Sequence, residues 1–431
     1  MESGTQRWPA SVFQRSVTQL DELMPGVMTR PTETMSLTVR VRGPLDVDVL
    51  DRAYRELVDR HELLRTRLVK DGDDVWQEVL PEAGGEARLE HLVAGDERPV
   101  AGGPTWPIPV DEPPLVRGGV VRVDDAEHLV GLTLHHVVSD QSSTALAMRD
   151  LAAVYSARLR GDDPPPVPLQ HGAYAVWQGK RLAERAERDH RAWATALEGL
   201  VPPTYRRAVP FEPGLPPAGR MLHRPLLDAE ELAALSAWAE RCQSTTFAAL
   251  LGAYARTLAS TTDARDLPVM SAFEQRDNPA IRNLPGPFLY ATLLRLGVVD
   301  RESAQALVTR MRDVVTAAYS RAQVTVLDLA ELAPGLLPGV LGAEPSWFRV
   351  FLYLPCETIT SAFRFGDAVG RVVSSDGRTT HALAYGAQLG LHHDEVGGLA
   401  ARLGYDGNDL DETAADALVT TFATEVRRFV S

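Results

Sequence analysis

Hydrophobic and polar positions recur with two different periods along this chain, and the changes of period mark its elements. From Asp46 to Arg60 the apolar residues Val49, Leu50, Ala53, Leu57 and Val58 keep the spacing of one helix face, and Asp46 is placed to cap it. Residues 36–42 just before alternate as a strand. Residues 63–69 read as a strand, 71–74 (Asp-Gly-Asp-Asp) as a turn, and 75–80 as its return. Residues 81–115, rich in Gly, Pro and charge, read as a loop region. Strands follow over 115–123 and 127–135, turned at Asp124-Asp125, and then a helix over 143–159. The run Gly161-Asp-Asp-Pro-Pro-Pro-Val-Pro168 can neither continue a helix nor feed a sheet, so the boundary falls there or just beyond. After it the spacing predicts helices over 173–198, 228–241, 244–260 (with Ser244 and Thr245 as caps), 303–324 and 412–430. Strands are predicted over 267–273, 289–299, 348–354 and 381–392. Strands and helices alternate in both parts, which predicts an α/β fold in two halves, 1–172 and 173–431.

The composition narrows the class. The 431 residues are 45% hydrophobic and 24% charged, the mix of a globular protein, long enough for two domains with cores of their own. Lys and Arg number 44 against 58 Asp and Glu, a net charge of −14, which argues against a general nucleic-acid binder. Cys242 and Cys356 are the two cysteines, which suits a reducing cytoplasm with both thiols buried. The first residues lack the apolar core of a signal peptide, and no apolar run is long enough for a membrane helix, so no membrane association is expected.

The stretch richest in chemistry is Gly131-Leu-Thr-Leu-His135-His136-Val-Val-Ser139-Asp140-Gln141-Ser142-Ser143. On a strand, neighbouring side chains point to opposite faces, so His135 and His136 cannot serve one site: one packs, the other can face a cavity. A histidine there has the pKa to take and return a proton near neutrality, and a pair of satisfied core histidines is the alternative. Asp140, in the turn into a helix, can fix the loop by pairing with an arginine. His392-His393-Asp394-Glu395 lacks a second ligand group at metal-binding spacing. The mixed charges of 180–191 read as a solvated helix face, and with Arg206-Arg207 are the two places where an acidic partner could dock. Tyr174 and Trp177 read as core anchors.

His135-His136-Val-Val-Ser-Asp140 resembles the HHxxxD core of the condensation domains of nonribosomal peptide synthetases. Further segments resemble that family in the same order: Ser11-Val-Phe-Gln14-Arg15, Arg60-His-Glu-Leu-Leu-Arg65-Thr66, Tyr174-Ala-Val-Trp-Gln178, Gln275-Arg276 with Pro285-Gly-Pro-Phe-Leu289, and residues 390–409 around Tyr405. The resemblance implies two chloramphenicol-acetyltransferase-like subdomains forming a V-shaped pseudo-dimer. The site would lie at their junction on a tunnel, with a floor segment near 273–288 and a latch within 355–378. It also implies a free-standing condensation enzyme of nonribosomal peptide or hybrid polyketide biosynthesis, an antibiotic-type secondary metabolism. That enzyme would form an amide or ester between a carrier-protein-bound acyl thioester and an amine or alcohol. His136 would be the general base or would stabilise the tetrahedral intermediate, and amides at the Asp140-Gln141 turn would be oxyanion donors. Asp140 would pair with Arg276 or Arg65, His135 would pack, and Ser143 would cap the helix. The phosphopantetheine arm of an acyl or peptidyl carrier protein would enter as substrate. No cofactor or metal of the chain's own is implied, and a cytoplasmic monomer meeting its partners in trans would suffice.

The sequence departs from the family pattern at Gln141, where the motif has glycine, at Tyr290-Ala291 for Asn-Thr, and at Ala382-Leu-Ala-Tyr-Gly386, which lacks an aspartate. Gln141 keeps a second reading open, a catalytically silent platform that recruits other enzymes. A third is an acyltransferase that uses coenzyme A thioesters.

Overall fold

The computed structural model describes residues 6–26, 29–82, 87–92, 106–353, 362–374, 386–394 and 396–430. In chain order these form β1 (Gln6–Pro9), α1 (Val12–Leu23), β2 (Thr34–Arg42), α2 (Val47–Arg60), β3 (Thr66–Asp71), β4 (Asp74–Val79), β5 (Glu90–Leu92), β6 (Val116–Arg122), β7 (Glu127–His135), α3 (Gln141–Arg160) and α4 (His171–Leu197). Then come β8 (Gly219–Leu227), α5 (Ala229–Arg241), α6 (Thr246–Ala259), β9 (Asp266–Glu274), β10 (Leu289–Gly297), α7 (Ala304–Tyr319), α8 (Val326–Leu332), α9 (Leu337–Val340) and β11 (Arg349–Tyr353). The last are β12 (Phe363–Phe365), β13 (Ala368–Ser374), β14 (Ala387–His393), β15 (Leu399–Asp406) and α10 (Glu412–Arg427).

The chain divides into two compact α/β units. The first holds a six-stranded sheet in the order β12-β13-β2-β7-β6-β5 and a three-stranded sheet β1-β4-β3. On the large sheet, Leu37, Val39 and Val41 of β2 and Val130, Leu132 and Leu134 of β7 meet the apolar stripes of α2 (Leu50, Ala53, Tyr54, Leu57) and α3 (Met148, Leu151, Tyr155). The antiparallel register runs from Thr34 opposite His135 to Arg42 opposite Glu127, so His135 is the last residue of the ladder. The second unit holds a six-stranded sheet, β10-β9-β11-β14-β15-β8, with β11 parallel to both neighbours. Tyr254 of α6 and Phe422 of α10 close on Phe351 of β11, with ring centroids 5.1 and 6.2 Å away.

The division differs from the single cut expected after residue 172. The first unit runs to Glu184 and also takes residues 275–289 and 356–379, of which 362–374 is described. The physical reason is in the bonds. The proline-rich run does not hang free, because Arg60 Nη2 donates to the Pro165 carbonyl and Gln170 Nε2 to the Arg60 carbonyl (2.8 Å). Tyr174 and Gln178 of α4 are buried against the first unit, where Gln178 Oε1 accepts from Val12 N (3.0 Å). β13 pairs with β2. The rest of the segment expected as a latch lies outside the described residues, as do 381–385 and Cys356. Residues 63–65, expected at the start of a strand over 63–69, lie instead in a 3-10 turn (Glu62–Arg65) that buries Leu63 and Leu64 before β3 begins. Among the described residues no helix is long and apolar enough to cross a membrane.

Candidate functional site

The site is built where β7 ends. His135 closes the ladder, and His136 opens a three-residue 3-10 turn, so strand alternation no longer governs the pair. The His136 amide donates to the Glu33 carbonyl (2.7 Å), which fastens the turn to the chain entering β2. The two imidazoles are separated by opposite hydrogen-bond patterns. In His135, Nε2–H donates to the Arg30 carbonyl (3.2 Å) and Nδ1 accepts from Val137 N (3.1 Å). In His136, Nδ1–H donates to the Ser139 carbonyl (2.7 Å), which leaves the lone pair on Nε2. Nε2 takes no hydrogen bond among the described residues, and 5% of the residue stays exposed. The Phe13 ring packs on this imidazole, with centroids 5.0 Å apart.

Burial pushes His136 below the ordinary imidazole pKa, against the pull of the Ser139 carbonyl and the Asp140 carboxylate. Burial and the neighbouring His136 push His135 down to about 4. Both rings are therefore neutral at pH 7. His136 has its basic nitrogen available, whereas both nitrogens of His135 are committed, as expected of a packing residue.

Asp140 is the N-cap of α3, its Oδ1 accepting from Ser143 N (2.8 Å). Arg276 Nη2 lies 2.9 and 3.0 Å from the two carboxylate oxygens, and Oδ2 also accepts from Phe288 N (2.9 Å). The pair is buried, with side chains 3% and 10% exposed. Arg276 Nη1 holds the carbonyls of Ile281 (3.3 Å) and Leu284 (2.5 Å), and its guanidinium stacks over Phe288 at 4.3 Å. The segment 275–289 is thus folded around one arginine and seated on one aspartate. Arg65, the other expected partner, bonds the carbonyls of Asp59 (3.3 Å) and Leu80 and takes no part.

Ser143 is three residues into the helix, not its cap. Its hydroxyl accepts from Gly286 N and Arg276 Nη2 (2.9 Å each) and lies 2.6 Å from both Asp140 Oδ1 and the Gly286 carbonyl, one of which takes its proton. A β-carbon on Gly286 would sit 2.7 Å from His171 Cδ2, so this close approach requires glycine. His171 is a residue that pattern reading missed. It is buried, its Nδ1–H donates to Gln77 Oε1 (2.9 Å), and burial with the nearby Arg276 charge pushes its pKa to about 3. Glu33 was missed too, a carboxyl raised to about 7 by burial. Neither lies at a motif spacing that marks it. Gln141 is the first residue of α3 and half-buried, and helix geometry leaves its amide without an intrahelical acceptor.

The weaker signals resolve differently. Tyr174 is buried against Phe288 (4.8 Å), but Trp177 is 42% exposed beneath Arg181, so it is no core anchor. Arg207 is spent on Asp409 and is not part of a free basic patch. In the 180–191 face, Arg185 pairs with Asp189 (2.9 Å). His393 Nε2 meets the Tyr353 hydroxyl at 3.2 Å. Among the described residues no three His, Cys, Asp or Glu side chains gather as a metal site.

A family model described as Condensation domain matches residues 11–334. The nonribosomal peptide synthetase kk1B of Curvularia clavata is 30% identical over 313 residues, which is 71% of this chain but 2% of that synthetase. Among solved structures, SgcC5 from Streptomyces globisporus matches with a TM-score of 0.80 at 23% identity, covering 98% of both chains. The X-domain from teicoplanin biosynthesis matches with a TM-score of 0.74 at 21% identity, covering 100% of this chain and 96% of that one.

Proposed function

Because this chain belongs to the condensation-domain family of nonribosomal peptide synthetases, we propose that it joins a carrier-bound acyl thioester to an amine or alcohol, with His136 handling the proton. Condensation domains act on acyl groups carried as phosphopantetheine thioesters, and the arm arrives as part of the substrate. The observation that carries the reading is the His136 ring, held by its Nδ1–H on the Ser139 carbonyl with Nε2 left for an incoming group. As the amine or alcohol attacks the thioester carbonyl, its proton passes to Nε2, and a new C–N or C–O bond forms. The tetrahedral intermediate then collapses, the C–S bond breaks, and the thiol leaves with the proton from Nε2. The Asp140 charge stabilises the transient imidazolium, as its effect on the His136 pKa requires. The Gln141 amide at the start of α3, with no acceptor inside the helix, is suited to the developing oxyanion. No acyl-enzyme is needed, so no side-chain nucleophile is assigned.

The test is His136→Ala with a panel of acylated carrier proteins, free coenzyme A thioesters, amines and alcohols, read by intact mass. The expected result is a wild-type circular dichroism spectrum and melting temperature with transfer reduced about 10²–10⁴-fold. Undiminished transfer by the variant would remove the proton-handling role. The panel also separates carrier from coenzyme A donors. The alcohol arm has a precedent in form, since SgcC5 was crystallised with a 1,2-ethanediol. Gln141 favours one further reading, recruitment of a partner enzyme without transfer. The teicoplanin X-domain is known in complex with OxyB. A chain silent on every donor yet stably bound to a partner would support that reading.

A further inference from the structure

The first turn of α1 is pinned by an unusual number of buried polar contacts. Ser11 and Gln14 cap it reciprocally, with Gln14 N on Ser11 Oγ (3.4 Å) and Ser11 N on Gln14 Oε1 (3.0 Å). Val12 N donates to Gln178 Oε1 on α4 (3.0 Å), Gln14 Nε2 reaches Gln77 Oε1 on β4 (3.4 Å), and Arg15 Nη1 holds the Ala10 carbonyl (3.0 Å). Ser11, Val12 and Gln14 are all buried. Each of these groups would lose its partner if the turn shifted, and a buried polar group without a partner is costly, so the turn has one seat. The residue carried between the anchors is Phe13, itself 9% exposed, whose ring lies against the His136 imidazole at a 60° tilt.

We infer that Phe13 is a positioning residue for the reaction: its ring fixes the plane of the His136 imidazole so that Nε2 faces the substrate, and keeps water off that face. The inference rests on the proposed role of His136. A hydrogen bond to the Ser139 carbonyl secures one edge of the ring, and a tilted aromatic contact secures its plane. Together they leave the imidazole no second orientation. The charged and titratable groups around it are Asp140 from α3, paired with Arg276 from the 275–289 segment, and His135 from β7. Glu33, preceding β2, gives its backbone carbonyl to the His136 amide, and Arg15 of α1 bonds the Ala10 carbonyl. Phe13 carries no charge. Its removal therefore admits water without altering the charges that act on the ring, and the desolvation that holds His136 neutral weakens.

Phe13→Ala and Phe13→Leu in the full chain test this. Turnover and acceptor KM are measured across pH, and His136 is titrated by NMR in protein with ¹³C-labelled histidine, assigned with His136→Gln. In Phe13→Ala, kcat falls about tenfold to hundredfold while acceptor KM stays within about twofold. The His136 titration midpoint rises toward the ordinary imidazole value, and the acid limb of kcat moves up with it. Phe13→Leu keeps the site dry, so its midpoint stays near wild type and part of the rate returns. A folded Phe13→Ala with wild-type kcat and an unmoved midpoint overturns the inference. So does a loss of activity that follows melting temperature alone with no change in titration. The titration is read without substrate, so a chain that transfers nothing would defeat the proposed function while the midpoints still decide whether Phe13 keeps the ring dry.

Discussion

Each unit contains, among the described residues, an aspartate–arginine corner with a buried aspartate, and the two are built alike. Asp140 holds Arg276 in the first unit and Asp409 holds Arg207 in the second. Each arginine also lies over a phenylalanine, Arg276 over Phe288 at 4.3 Å and Arg207 over Phe211 at 5.4 Å. Each aspartate accepts backbone amides from a distant segment, Phe288 N for Asp140 and Gly386 N (3.0 Å) for Asp409. The corners differ in what surrounds them. Asp140 caps a 20-residue helix four residues after His136 and raises the proton affinity of that ring. Asp409 has Arg349 and Asp406 nearby, and its own pKa is raised because burial outweighs the pull of Arg207 and Arg349. In both units an aspartate–arginine pair thus seals a turn. An imidazole with a free nitrogen adjoins the Asp140 corner, and it is there that we propose the reaction.

The comparison breaks most severely at Asp140. Asp140→Ala removes a helix cap and leaves Arg276 buried without a counter-charge, a loss of about 3–5 kcal/mol in urea unfolding. Turnover per folded molecule should fall with it, because the same carboxylate acts on His136; a destabilised variant with full turnover would separate the corner from the chemistry. Asp409→Ala should cost about the same stability, since Arg207 is stranded in the same way. It should leave turnover per folded molecule unchanged, and a loss of turnover there would show that the two corners are not functionally distinct.

Acid sharpens the contrast by a smaller effect. His135, His136 and His171, all in the first unit, have folded pKa values below 6.5, with His135 at about 4 and His171 at about 3. Below pH 6.5 the unfolded chain binds protons that these rings cannot, so stability falls as the pH drops toward 4, by at most about 1.4 kcal/mol per pH unit for each ring. Glu33 opposes this in the same unit. Its folded pKa of about 7 means that the folded state keeps a proton the unfolded chain releases above 4.5. One carboxyl does not balance three rings. In the second unit Asp409, raised above 3.8, is relieved by acid, while His392 of β14, lowered by burial, is burdened. Hydrogen exchange at pH 7 and pH 5 should therefore show β2 and β7 losing protection before β14 and β15. Equal loss in both sheets would contradict the assignment of the larger acid burden to the first unit.

Much of this was legible in the chain. The stripe of α2 with its Asp46 cap, the alternation of β2, and the Thr245 cap of α6, one of two candidates, depend on residues a few positions apart, and local spacing reports them. The pairing of Asp140 with Arg276 was one of two alternatives, and only the fold chose between them. The arginine is 136 residues distant, and Arg65 was occupied by carbonyls of its own neighbourhood. Strand alternation predicted that His135 and His136 point apart, but it does not govern the pair: the strand ends between them, and each ring takes its own backbone partner.

The amino-acid order alone determined the α/β class, the positions of most helices and strands, and the motif that holds the histidines, because periodicity and capping act within a turn or a strand. Tertiary structure decided which imidazole has a free nitrogen, which arginine meets the aspartate, and that Phe13, Gly286 and His171 stand beside them. The His136 bond to Ser139 is local, but the contacts to Arg30, Arg276, Phe13 and Gly286 join segments more than a hundred residues apart, and the energy that selects them, burial of polar groups that must all find partners at once, exists only when the whole unit is folded.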